Sequence, residues 1–241
     1  MAVEVDVKAL LAAGAHFGHK TSRWHPKMAP YIHSKREGVH IIDLTKTAEA
    51  LDEALAFITK TVASNKQILL VGTKRQSKDI VKTTALETGM PYVVERWLGG
   101  MLTNKKTMGE RIKHVKDLEV RMAAGALEAK YNKLEVQRFQ EEIDDLNFIF
   151  GGIKDLDENF GAVFVVDVIN EQNAIKEAKK LGIKTIAIAD TNVDPTGIDF
   201  VIPANDDAIK TVQLIMDYIK QAIEEGKAKQ KSAKVDKEGD K

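Results

Sequence analysis

The 241 residues include no cysteine, which excludes disulfide staples and thiolate metal sites and is compatible with a reducing compartment. No apolar run approaches the roughly 20 residues that a membrane-spanning helix needs. The opening Met1-Ala2-Val3-Glu4-Val5-Asp6 lacks the basic and then apolar regions of a secretory leader and is too acidic for a transit peptide, so a cytoplasmic chain is expected. Two nucleotide signatures are also missing. G-x-G-x-x-G follows no predicted strand, and G-x-x-x-x-G-K-[ST] does not occur. The nearest segment, Val71-Gly72-Thr73-Lys74-Arg75-Gln76, has one glycine and then two cations, and a backbone without those glycines does not readily wrap a pyrophosphate.

Net charge is absent too, with 36 Lys and Arg against 36 Asp and Glu, but the average hides a polarity. Residues 1–116 hold 19 basic against 11 acidic groups, residues 117–225 hold 11 against 22, and residues 226–241 hold 6 against 3. Such asymmetry suggests one face for a polyanion and another for solvent or basic neighbours; a chance partition of solvated charge is the alternative. The 44% apolar and 30% charged composition reads as globular, with enough length for a sizeable core.

Short β-branched runs punctuate the chain: Ile68-Leu69-Leu70-Val71, Tyr92-Val93-Val94, residues 162–166, Thr185-Ile186-Ala187-Ile188-Ala189 and Phe200-Val201-Ile202. Continuous runs of this kind suit strands buried on both faces of a parallel sheet. Helical periodicity separates them: Leu51, Leu55, Ile58 and Val62; then Ala174, Ala178 and Leu181 before Gly182; then Ile209, Val212, Ile215, Met216 and Ile219 after the cap candidates Asn205 and Asp206. The alternation predicts an α/β fold with a mainly parallel sheet and flanking helices.

From about residue 104 to 150 the strand signal stops. Met108, Ile112, Val115, Leu118 and Met122 step by three or four, and after Ala123-Ala124-Gly125-Ala126 the pattern resumes at Leu127, Tyr131, Leu134, Phe139, Ile143 and Leu146. This predicts an antiparallel helical hairpin over 104–147, roughly 30 Å long at about 1.5 Å per residue, inserted in a discontinuous sheet domain of 1–103 plus 148–225. Residues 226–241, nearly devoid of large apolar side chains, are expected to be disordered.

Chemistry is sparse. His16, His19, His25, His33 and His40 crowd one region, but zinc needs convergent ligands and no cysteine or H-E-x-x-H helix is present, so hydrogen bonding in loops or contact with RNA fits better than a metal site. Asp190 and Asp194 follow a strand, where their carboxylates either hold a hydrated magnesium ion or cap a turn before Pro195. No nucleophile–base pair stands out. The basic segments are more informative. Lys20-Thr21-Ser22-Arg23-Trp24-His25-Pro26-Lys27 and Arg96-Trp97-Leu98-Gly99-Gly100-Met101-Leu102-Thr103-Asn104-Lys105-Lys106 interleave cations, aromatics and glycines. Cations neutralise phosphates, aromatic planes stack on exposed bases, and glycine permits close approach. Each tryptophan taken singly also suits plain core packing.

At these segments the chain resembles the family of protein two of the bacterial small ribosomal subunit. The resemblance is carried by LLAAGAHFGHKTSRWHPKMAPYI at 10–32, GVHIIDLTKT at 38–47, RWLGGMLTN at 96–104, GGIKDL at 151–156 and EAKKLGIKTIAIADTNVDPTGIDFVIPANDDAI at 177–209. It runs from about residue 5 to 222. It implies a Rossmann-like sheet domain with an inserted coiled-coil hairpin, contact with small-subunit ribosomal RNA, and help in docking neighbouring proteins, protein one among them. No catalytic residue, cofactor or small-molecule substrate comes with it. Two departures stand out: Glu158-Asn159-Phe160 replaces a leucine–proline–aspartate, and Asn147-Phe148-Ile149-Phe150 replaces a more polar stretch. The residues expected to touch RNA are Lys20, Arg23, Trp24, Lys27, Lys35, Arg36, Lys74, Arg75, Arg96, Lys105, Lys106, Arg111 and Lys113. The competing readings are an α/β nucleotide enzyme without fingerprints, and a protein-binding scaffold, which needs apolar surface where this chain is basic.

Overall fold

In the computed structural model, which describes residues 5–157 and 160–238, the apolar runs pair as one parallel sheet. Its strands are β4 (Ile68–Val71), β5 (Tyr92–Val93), β6 (Ala162–Val165), β7 (Lys184–Ala189) and β8 (Phe200–Pro203), in the order β5-β4-β6-β7-β8. All four pairings are parallel. Alternation along each strand feeds two cores. Ile68, Leu70, Phe164, Ile186, Ile188 and Ile202 face helices α2 (Leu44–Ala63), α3 (Lys78–Thr88) and α7 (Ile209–Glu238). Leu69, Val71, Val163, Val165 and Ala187 face α6 (Gln172–Lys180), the segment around Trp97 and Leu102, and Phe150. With both faces covered, strands have no reason to alternate polar and apolar, so they read as unbroken hydrophobic runs.

A second sheet was not anticipated. After α1 (Val7–Ala13), β1 (Phe17–Lys20), β2 (Ile32–Arg36) and β3 (Val39–Ile42) form an antiparallel sheet in the order β1-β3-β2. Its hairpin turn, Glu37-Gly38, has φ of 50° and 79°, the pair of positive values that a tight hairpin needs.

The insertion forms α4 (Lys105–Ala123) and α5 (Lys133–Phe150), joined by residues 124–132. His114 lies 3.0 Å from Glu142 and Asn147 donates to Glu119 at 2.8 Å. Val115 and Leu118 of α4 and Ile143 of α5 are buried. Leu127, expected on the second helix, is fully buried in the connection, and the Asn132–Glu135 capping box starts α5 after it. The re-entry through the unusual Asn147–Phe150 segment is anchored by fully buried Phe150, while Phe148 stays 62% exposed. In the other departure, Glu158 and Asn159 lie outside the described residues, and Phe160 is buried.

Past residue 225, α7 continues to Glu238. Gly226 makes this possible: a Cβ there would meet the Thr59 carbonyl oxygen and Val62 Cβ at 2.8 Å, so α7 lies tight on α2 at that point. Lys227 then donates to the Thr88 carbonyl, and Lys229 pairs with Glu225 at 3.0 Å. Residues 239–241 of the proposed tail lie outside the described part.

Candidate nucleic-acid interface

Open parallel sheets take ligands beyond the strand C-termini, where the strand order reverses. In the order β5-β4-β6-β7-β8 that point lies between β4 and β6. The chain fills it with its own charges. Lys74 Nζ, just past β4, lies 3.1 Å from Asp167, 3.0 Å from Asp206 and 2.6 Å from Asp207. Burial works against the ammonium, but the carboxylates prevail and hold its pKa well above the ordinary lysine value. One cation cannot keep three carboxylates ionised, and buried Asp206 bears the consequence. Burial, then the neighbouring Asp167, pushes it up to about 7 despite Lys74. Next to it Glu171, also buried, accepts from the Thr73 amide at 3.1 Å, and burial raises its pKa. Lys74 is thus held in an internal ion cluster.

The same cluster clamps the small sheet in place. His19 on β1 lies 3.0 Å from Asp190 and 3.6 Å from Asp207, and its hydrogen bond with Asp190 raises its pKa despite partial burial. The His19 amide donates to Thr191 Oγ1 at 2.8 Å. Gly18 permits this approach, since a Cβ would stand 2.5 Å from Thr191 Cγ2. Asp190 and Asp194 therefore serve different partners. Asp194 accepts from Lys27 at 2.9 Å and from the Thr196 amide at 2.9 Å, bonds that hold its carboxyl well below the usual range. Lys27 is accordingly tied to this turn. His25 caps the Pro26–Tyr31 turn through Nδ1, His33 is exposed, and the histidines do not converge.

What remains outward on the small sheet is basic. Lys20 and Arg36 both pair with Val39, so all three share a face, and Lys35 pairs with His40 on the other. Lys20, Arg23, Trp24, Lys35 and Arg36 are all exposed.

A second basic region follows β5. Glu177 of α6 organises it, accepting from Trp97 Nε1 at 3.0 Å and from the amides of Gly100 at 2.7 Å, Leu102 at 3.0 Å and Thr103 at 3.1 Å, with the Thr103 hydroxyl also at 3.1 Å. Burial pushes Glu177 upward, but these five bonds prevail and hold it below its ordinary value. Gly100 turns at φ 91°, which favours glycine. Trp97 is therefore a core residue, while Arg96 next to it is exposed. Lys105, Lys106, Arg111 and Lys113 are exposed along the start of α4, and Arg75 is exposed before α3. Glu177 and Asp167 escaped the sequence reading, and Asp206 entered it only as a cap candidate, because each acts on a segment far away in the chain; a local hint for Glu177 was an acid beside Ala174 and Ala178.

A covered parallel sheet, a crevice filled by the chain's own ion cluster and exposed basic loops define an α/β protein with a basic surface. The comparisons fix the family. Residues 10–226 match the family model for ribosomal protein S2. Small ribosomal subunit protein uS2 of Roseiflexus sp. (strain RS-1) is 48% identical over 235 residues, covering 98% of this chain and 89% of that protein. The protein of that name from Roseiflexus castenholzii (strain DSM 13941 / HLO8) is 47% identical over 232 residues, 96% of this chain and 88% of its own. That of Chloroflexus aggregans (strain MD-66 / DSM 9485) is 47% identical over 229 residues, 95% and 96%. The chain belongs to the ribosomal protein S2 family, whose members have a structural role in the small ribosomal subunit.

Proposed function

We propose that this chain is a structural constituent of the small ribosomal subunit that holds ribosomal RNA with two basic surfaces, one on the β1-β3-β2 sheet and one running from Arg96 along the start of α4. The observation that carries this reading is the contrast between Lys74, locked among three carboxylates, and the exposed Lys20, Arg23, Lys35 and Arg36. A crevice occupied by Lys74 and its three carboxylates favours a scaffold over an α/β nucleotide enzyme. The sheet body of residues 1–103 with 148–225 and the insertion 104–147 act as separate units, with the more acidic second half of the chain facing solvent or basic neighbouring proteins, protein one among them. Its place is on the ribosome in the cytoplasm; no described helix is long and apolar enough to cross a membrane.

Binding to structured ribosomal RNA should weaken steeply with salt, because each phosphate contact releases condensed counterions at a slope of roughly 0.9 per contact. Replacing Lys20, Arg23, Lys35 and Arg36 together by Gln should flatten that slope by up to about 3 to 4. A flat log–log plot for the unaltered protein would remove the RNA reading. Co-sedimentation with small subunits, released by high salt, checks it in the assembled particle.

A further inference from the structure

The two tryptophans sit in opposite environments. Trp97 is 7% exposed and Trp24 is 37% exposed. Burying a large apolar side chain is worth about 1.5–3 kcal/mol, so an indole left in solvent beside a large core calls for a reason. Its loop is not loose. The Thr21 amide donates to the Gly38 carbonyl at 2.9 Å and the His25 amide to the Thr191 carbonyl at 2.8 Å, pinning both ends. One side of the indole is backed by His40, with ring centroids 5.0 Å apart and planes inclined at 41°. Burial, and then the charge of Lys35 directly across the ladder, lower the His40 pKa and so favour the neutral imidazole. Both its ring nitrogens are buried and have no hydrogen-bond partner among the described residues. Exposed Arg23 adjoins Trp24 in the loop, and exposed Lys35 lies on the His40 face of the sheet. A backed, immobilised aromatic ring among cations is the arrangement on which an unpaired base stacks while its phosphates are neutralised.

We propose that Trp24, backed by His40, is a stacking platform for one unpaired ribosomal RNA base, with Arg23 and Lys35 meeting the flanking phosphates. This rests on the RNA-binding reading above and adds to it a preference for unpaired over duplex RNA. A duplex hides its base faces and offers these residues only phosphates.

The test uses the full chain with a short oligoadenylate and with an RNA duplex of equal length. Single-strand binding should quench tryptophan emission, since Trp97 is buried and Trp24 is not. Trp24→Ala should weaken single-strand binding about tenfold, the middle of the range for one stacked base. The salt slope should stay unchanged, because stacking releases no counterions. Trp24→Phe should restore most of the affinity and abolish the quenching, and duplex affinity should be indifferent to both variants. If unaltered protein binds RNA and Trp24→Ala or Trp24→Phe binds single strands equally well without loss of quenching, the platform falls alone. If unaltered protein binds no RNA, the platform and the RNA reading fall together. Should the alanine variant misfold, the quenching comparison between unaltered protein and Trp24→Phe decides the matter.

Discussion

Lys74 and Asp206 lie 3.0 Å apart across the crevice of the parallel sheet, joining the end of β4 to the loop that leads into α7. Removing the cation leaves Asp167 and Asp206, both almost fully buried, without a cationic partner, and Asp167 keeps only its hydrogen bonds from Ile169 and Asn170. Breaking one side of a buried ion cluster is far more costly than never having built it. Lys74→Met should therefore destabilise the chain by about 3 kcal/mol. In a chain of this size that lowers Tm by roughly 6–12 °C. The salt slope of RNA binding should not change. A variant that melts with the unaltered protein, or one whose slope drops, would return Lys74 to the surface set.

The same cluster predicts a pH dependence with a definite sign. Asp206 is raised to about 7, so between its unfolded value near 3.8 and about 7 the folded state holds the extra proton. Its contribution is complete below the unfolded pKa and is lost as pH rises through the folded one. His19, raised by Asp190, acts in the same direction above its ordinary value of 6.5, while His16 and His40, both lowered by burial, act in the opposite one. Comparing unaltered protein with Asp206→Asn cancels His16 and His40, while His19, which Asp206 also helps to raise, loses part of its shift in the same direction. Denaturant melts at pH 5 and pH 8 should show the unaltered protein losing more stability over that interval than the variant. Parallel losses would mean that Asp206 ionises like an exposed carboxylate.

These relationships mark where sequence reading stops. The five parallel strands were legible because burial on both faces writes itself as Ile68–Val71 or Ala162–Val165, with no tertiary knowledge required. The antiparallel sheet was hidden because its half-exposed strands mix Ile32 and Val39 with His33, Lys35 and His40, so neither alternation nor a continuous run emerges. Trp24 and Trp97 look alike in sequence, each beside an arginine, yet Glu177 draws one inward and His40 holds the other out. Lys74 seemed a surface cation because the carboxylates that claim it lie at 167, 206 and 207. Fold class depends on local pattern, whereas these side-chain roles depend on which distant loops the strand order brings together.

Glu177 predicts a local effect. Five donors of the 97–103 segment converge on its carboxylate, four of them backbone or indole N–H groups. Glu177→Ala should leave them without that acceptor, at a total of roughly 2–4 kcal/mol, since hydrogen bonds to a charged group are the stronger kind and do not add fully. Amide exchange at Gly100, Leu102 and Thr103 should accelerate well before that of β4 or β6. Because the bonds depress Glu177, the stability they give is present above its unfolded pKa and fades as pH falls. Unchanged protection at those three amides would show that the segment is held by the packing of Trp97 and Leu102 instead.

The inserted helices give the last test, because their exposed charges differ in sign. On α4 Lys116 meets Asp155 at 2.9 Å and Arg121 meets Asp117 at 3.5 Å. On α5 Glu142 meets His114, and Glu135 caps the helix start with Asn132. Exposed pairs of this kind are worth under about 1 kcal/mol each and cannot account for a basic stretch at the beginning of α4. That stretch, Lys105, Lys106, Arg111 and Lys113, is exposed and continues the surface that starts at Arg96. Replacing those four by Gln should flatten the salt slope of ribosomal RNA binding by up to about 3 to 4, at roughly 0.9 per phosphate. Replacing Lys130, Lys133 and Arg138 should change it little, because they share their region with Glu128, Glu135, Glu141, Glu142, Asp144 and Asp145. Circular dichroism must show both variants folded. Equal slopes from the two sets would mean that RNA does not distinguish the helices, and the second basic surface would then end at Arg96.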